Sequence, residues 1–233
     1  MSEPLSCAVS DRRSPYGALG IFAAAMGLLE AAVVVYLREL YHPGGFRFPL
    51  QPIPARMAFT ELGREVATVV MIWVVACLSG RSRRDRFAAF AFVFGIWDIF
   101  YYIWLKVLIG WPEGLLDPDI LFLIPLPWVG PVLAPVLVSI VLVLLSFNVR
   151  PPGACPGPPA NVTRTDWALY LAGAGLILWT FMEPNLGTAG LDRPVVYPAR
   201  YDWTLYSIGL ALGGIATVRL GLTRRREKIP DAP

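Results

Sequence analysis

The stretch Gly17-Ala-Leu-Gly-Ile-Phe-Ala-Ala-Ala-Met-Gly-Leu-Leu-Glu-Ala-Ala-Val-Val-Val-Tyr-Leu-Arg-Glu-Leu-Tyr41 sets the fold class. An α-helix rises 1.5 Å per residue and the hydrocarbon core of a bilayer is about 30 Å thick, so about 20 mostly apolar residues cross it. Gly17–Tyr41 meets that length with a single carboxylate, Glu30, in its interior. Four more segments repeat the pattern: Met57–Ser79, Phe87–Leu108, Trp167–Met182 and Trp203–Leu222. A further apolar run, Ile120–Phe147, is too long for one straight span and contains Pro125, Pro127, Pro131 and Pro135. The expected architecture is an all-α, polytopic membrane bundle of six crossings with a Pro-broken fourth segment.

Bulk composition agrees. Of 233 residues, 56% are apolar and 16% charged, against roughly 25% charged in an average soluble domain. A mean hydropathy of +0.56 excludes disorder as well. The net charge of +3 is too balanced for a nucleic-acid partner. The single histidine, His42, excludes bis-histidine haem, multi-histidine di-iron and three-histidine zinc sites within this chain. Cys7, Cys77 and Cys155 lie in three segments without CxxC spacing, which supports neither a disulfide framework nor a thiolate metal site. No cofactor and no metal are expected.

Short-loop Lys/Arg counts orient the chain. Arg12 and Arg13 precede the first helix, Arg81, Arg83, Arg84 and Arg86 follow the second, Arg150 and Arg164 follow the fourth, and Arg224, Arg225, Arg226 and Lys228 follow the sixth. With alternating helices all four groups share one side, while Trp111–Asp119 on the other side has three acids and no base. The expectation is a cell-membrane protein with both termini cytoplasmic. It divides into a cytoplasmic tail 1–16, a transmembrane domain 17–222 with a 4+2 division at linker 151–165, and a basic cytoplasmic tail 223–233. Trp104, Trp111, Trp128 and Trp203 fall near the outer interface, where an aromatic anchoring belt is expected.

In the fourth segment, Asp117-Pro118-Asp119 has the form of a helix start, with an Asp cap, Pro in the first turn and acid near the positive dipole end. A helix from there stops near Ile124, and a second runs over Val132–Phe147. Leu126–Gly130 between them has free carbonyls near the outer membrane level, tolerated only if buried in protein, wet or interfacial. Two forms fit: a short interfacial helix, or a re-entrant half-helix of the kind that builds solute sites.

Ionisable groups inside spans cost about 2.5–3.5 kcal/mol each at mid-helix and so point to function. Glu30 lies in helix one. Glu61, Arg64 and Glu65 share one face of helix two by their i, i+3, i+4 spacing, as do Asp98, Tyr101 and Tyr102 on helix three, with Lys106 further along. Helices one and three run outward and helix two inward, so these groups are expected to form one polar cluster in the outer half of the membrane. As interhelical glue, Arg64 would tie Glu30 to Asp98, with Glu61 at the water interface. Four carboxylates exceed what Arg64 and Lys106 neutralise, so the surplus must be protonated, hydrated or matched by a bound cation.

A short echo links Pro54-Ala-Arg-Met-Ala-Phe-Thr60 to Pro198-Ala-Arg-Tyr-Asp-Trp-Thr204, each at the expected start of an inward helix. A parallel duplication would explain it. Walker, GxSxG, HExxH and dinucleotide signatures are missing from the sequence. Three functions fit: binding or translocation of protons, a cation or a small cationic solute at the acidic cluster; a non-catalytic accessory subunit of a larger membrane complex; or a lipid-active enzyme using a carboxylate as base. The expected partners are the lipid bilayer and either other membrane subunits or further copies of this chain.

Overall fold

The computed structural model describes residues 15–150, 162–188 and 193–227, of which 188 and 224–227 by backbone alone. The tail with Cys7, Arg12 and Arg13, the linker 151–161 with Cys155, and Lys228 onward lie outside the described residues.

Among the described residues six α-helices run in chain order, with a two-stranded hairpin between the third and the fourth: α1 Tyr16–Tyr41, α2 Ala55–Ser79, α3 Arg83–Ile109, β1 Pro118–Phe122, β2 Trp128–Pro131, α4 Leu133–Val149, α5 Arg164–Met182 and α6 Trp203–Glu227. Four of them, α1, α2, α3 and α6, are long and apolar enough to cross a membrane. Only 22–33% of the most apolar window of each is buried inside the protein. On α2 the side chains of Val66, Val70, Trp73 and Val74 are all about half exposed. Such extended apolar faces on neighbouring turns are compatible with embedding in a membrane. The α4 helix is apolar but has 17 residues, about 26 Å of rise.

Helix ends follow local chemistry. Ser82 caps α3 by accepting from the Asp85 amide while Asp85 accepts from the Ser82 amide, and Thr163 and Asp166 do the same for α5. Gly110 ends α3 at φ 71°, a left-handed position that suits glycine.

Glycines set the helix spacing. A Cβ on Gly27 of α1 would stand 3.0 Å from the Trp97 carbonyl of α3, one on Gly95 of α3 2.7 Å from the Ser139 carbonyl of α4, and one on Gly173 of α5 2.6 Å from the Gly209 carbonyl of α6. The first interior cluster, around Ile72, Phe92, Val93 and Trp97, joins α1, α2 and α3. The second, around Ala134, Phe181, Tyr201 and Tyr206, joins α4, α5 and α6, and the Tyr206 hydroxyl donates to the Ala134 carbonyl at 2.6 Å.

The short helix expected after Asp117, interfacial or re-entrant, is a strand instead. β1 pairs antiparallel with β2, Pro118 opposite Pro131, Asp119 opposite Gly130 and Ile120 opposite Val129, with an irregularity before Phe122 pairs with Trp128. Ile120, Phe122, Trp128 and Val129 suit a pleated, half-buried surface. Pro125 and Pro127 fall in the turn, where no ladder donor is required. Asp117 serves the turn rather than a helix start: its carboxylate accepts from the amides of Glu113 at 2.7 Å and Gly114 at 3.2 Å, and its carbonyl accepts from Val132 at 3.0 Å. Strand pairing thus meets backbone groups of Pro118–Phe122 and Trp128–Pro131 within the protein.

The belt tryptophans are drawn into intramolecular contacts. Trp104 donates to the Ala24 carbonyl at 2.9 Å, Trp128 stacks near Phe181, and Trp203 packs on Tyr201 and Tyr206. The internal echo is not a structural equivalence, because Pro54 leads directly into α2 whereas α6 begins only at Trp203, after a non-helical Pro198–Asp202. The two preceding loops instead meet each other through an antiparallel bridge, Leu50 to Val195.

Candidate functional site

The end of the bundle where α1 finishes, α2 starts and α3 finishes holds a cavity of about 460 Å³. Its wall includes Glu30, Glu61, Arg64, Glu65, Asp98, Tyr101 and Tyr102, so seven of the eight residues singled out from the sequence face one space. β1 and the hairpin turn close it on the remaining side. The antiparallel course of α1, α2 and α3 is what puts residues so far apart in sequence at one depth.

Lys106 is the exception. It sits in the last turn of α3, and its Nζ donates to the carbonyls of Gly110 at 3.0 Å and Pro112 at 2.7 Å. A cation at a helix C-terminus satisfies carbonyls that have no intrahelical partner. Lys106 therefore caps α3 and does not line the cavity.

Arg64 joins two carboxylates, though not the pair expected. Its Nε donates to Glu61 Oε2 at 2.7 Å and its Nη1 to Glu30 Oε1. The Thr68 hydroxyl lies 3.4 Å from both oxygens of Glu30. Glu61, expected at the water interface, is 5% exposed. Asp98 instead faces α4, where Ser139 Oγ donates to its Oδ2 at 2.8 Å. Glu65 turns to the hairpin. Both its oxygens stand 3.0 Å from the Leu123 amide, just beyond β1, and so supply an acceptor where the strand pairing stops.

Sequence reading missed a second charged set. Arg38 Nη2 donates to Asp119 Oδ1 at 3.1 Å, with side-chain exposures of 10% and 2%. Its guanidinium packs in the corner of two rings set edge to face, 4.1 Å from the centroid of Phe46 and 3.8 Å from that of Trp111. Flat, weakly hydrated guanidinium suits such an aromatic corner. Burial pushes the Asp119 carboxyl up to about 6, against the pull of Arg38. Burial, and then Arg38, lower His42 from its ordinary value. Asp119 carried no signal as a partner because its place depends on the hairpin. Arg38 carried one: it is a cation close to the end of an otherwise apolar run, at the same end of the bundle as the unmatched acids.

Five carboxyl groups, those of Glu30, Glu61, Glu65, Asp98 and Asp119, face the cavity together with the guanidiniums of Arg38, Arg64 and Arg193. Arg193 Nη1 is held on the Gly187 carbonyl at 2.9 Å. The excess of acid thus persists when the lining guanidiniums are all included. Aromatic side chains, Phe46, Trp97, Tyr101 and Tyr102 among them, make up much of the rest. Trp97 is 5% exposed, and its indole N–H has no hydrogen-bond partner among the described residues. Also among the described residues, no three His, Cys, Asp or Glu side chains converge to hold a metal ion. Compared with known proteins, the chain matches no family model, no curated protein and no solved structure.

Proposed function

We propose that this is a six-crossing membrane protein that binds a small organic cation in the cavity between α1, α2, α3 and the hairpin, with both termini on the cytoplasmic side of the cell membrane. One observation carries the reading: one cavity is lined by more carboxyl groups than guanidiniums. Buried carboxylates without a counter-charge are untenable, and an ammonium group supplies that charge. Aromatic faces beside the acids favour an organic ammonium through cation–π attraction. For the two shorter helices, α4 counts as a crossing because its 17 residues stand at the lower limit of about 17–25 for a spanning helix, and α5 because it packs extensively along α6.

The test is calorimetric titration of the purified protein in lipid nanodiscs with butyltrimethylammonium. Saturable binding is expected, weakened at least tenfold by Glu30→Gln, since at an effective dielectric of about 20 a carboxylate about 5 Å from the ammonium contributes roughly 3 kcal/mol. Heat release identical in the protein and in empty nanodiscs would sink the reading. A second reading, an accessory subunit, rests on α2, which packs chiefly on α3 and leaves an apolar face exposed. Stoichiometric co-purification of another membrane chain, lost on Val70→Asn, would favour it.

A further inference from the structure

A second cavity of about 270 Å³ lies deeper, between α3, α4, α5 and α6. Its lining is almost wholly apolar, with Val138, Leu142, Ile177 and Leu178 typical of it. Among its few polar groups, Tyr170 is engaged with the Thr217 hydroxyl at 3.2 Å, and Ser139 with Asp98 at 2.8 Å. An almost wholly apolar lining of this kind disfavours water and ions and suits an apolar guest. Small residues on α5 and α6 keep it open: a Cβ on Gly213 would meet nothing within 4 Å.

The two cavities share a wall. Asp98, Leu121 and Phe122 line both. Phe122 follows the irregular step of β1, and its ring centroid is 5.4 Å from that of Trp128 on the inner side and 6.4 Å from that of Trp97 on the outer. Phe122 therefore stands between a mostly acidic lining and an almost wholly apolar one, with Asp98 at the boundary of the two. Trp97, which lines the acidic cavity, also offers a buried N–H with no acceptor among the described residues, a second sign that a ligand completes the site.

From this juxtaposition we infer that the ligand is a single-chain cationic amphiphile, its ammonium head among Glu30, Glu61 and Asp98 and its alkyl chain passing Phe122 into the inner cavity. The inference rests on the cation-binding reading above and adds the second half of the molecule. Charge complementarity fixes the head, the apolar lining fixes the tail, and the shared wall fixes their order. An acceptor oxygen close to the ammonium would also meet the Trp97 N–H.

The experiment extends the same titration to hexyl-, octyl- and decyltrimethylammonium below their micellar concentrations, with affinities expressed against the free aqueous ligand. Saturable affinity is expected to rise about fourfold per methylene until the inner cavity is full, then level off. Gly213→Leu and Val138→Phe, which fill that cavity from α6 and α4, should bring the plateau to shorter chains and leave butyltrimethylammonium binding as it was. Two such variants guard against one failing to fold. If butyltrimethylammonium binds but longer chains bind no tighter in the saturable phase, the amphiphile inference is overturned while the cation site stands. It is overturned equally if chain-length dependence is unchanged in both filled variants, which would mean simple partition into lipid. If butyltrimethylammonium itself does not bind, both fall.

Discussion

Removing the Arg38 guanidinium by Arg38→Met tests whether Asp119 is held as a buried charge. The methionine keeps most of the aliphatic stem and deletes the cation that is hydrogen-bonded to Asp119 and packed on Phe46 and Trp111. Leaving a buried charge without its partner costs about 3–5 kcal/mol, and a desolvated cation–π contact adds up to about 2 kcal/mol, not additively. The sign with pH follows from Asp119. Its carboxyl, ordinarily at 3.8, sits at about 6 in the folded chain, so protonation favours folding. The stability tied to that group is complete below about pH 4 and is lost as pH rises through 6. The gap corresponds to about 3 kcal/mol. In the wild type, unfolding by dodecyl sulfate in mixed micelles, followed by near-ultraviolet circular dichroism, should therefore show a component that weakens between pH 4 and 7. Asp119→Asn should remove that component. Arg38→Met should cost its full amount at pH 8, where Asp119 is ionised, and about 2 kcal/mol or less at pH 5, where it is largely neutral. In the Asp119→Asn background Arg38→Met should be mild at both. An equal cost at pH 5 and pH 8, or no rescue by Asp119→Asn, would refute the reasoning.

Three further outcomes follow from contacts elsewhere. Glu65→Leu leaves the Leu123 amide without its acceptor and should destabilise by about 1–3 kcal/mol, with hydrogen exchange accelerated at Leu123 and across the two paired strands together; equal exchange in variant and wild type would show that the contact does not form. Gly95→Ala places a Cβ 2.7 Å from the Ser139 carbonyl and should cost about 1–3 kcal/mol by forcing α3 from α4, whereas Gly214→Ala, with nothing within 4 Å, should be neutral or stabilising by up to about 1 kcal/mol in thermal unfolding. Lys106→Met should lower stability by about 1–3 kcal/mol through two lost carbonyl contacts while leaving butyltrimethylammonium affinity unchanged, and a weakened affinity would put Lys106 back in the site.

The helices were legible because length and hydropathy act locally: the apolar run Gly17–Tyr41 lies in a helix that begins one residue earlier, and Met57–Ser79 in one that begins two residues earlier. The convergence of Glu30, Glu61, Arg64, Glu65, Asp98 and the two tyrosines was also legible, since helical spacing gives each face and alternating direction gives each depth. The hairpin was not. Asp117-Pro118-Asp119 fits a turn as well as a helix start, and the choice is made by a partner, Trp128–Pro131, that local pattern does not reveal. Every residue tied to the hairpin shares that blindness: Asp119 as the mate of Arg38, Glu65 as acceptor for Leu123, and Phe122 as the partition. Lys106 departs from expectation for a related reason. Its reach depends on where α3 ends, and Gly110 ends it one turn away.

β1 is fastened from two directions within five residues: Arg38 of α1 grips Asp119, and Glu65 of α2 grips Leu123. Because the anchors come from different helices, one cannot slacken gradually while the other takes up the load. The cover over the acidic chamber should consequently behave as a two-bolt hatch, shut or fully undone, and amide protection across residues 118–131 should vanish as a block rather than fray from either tip.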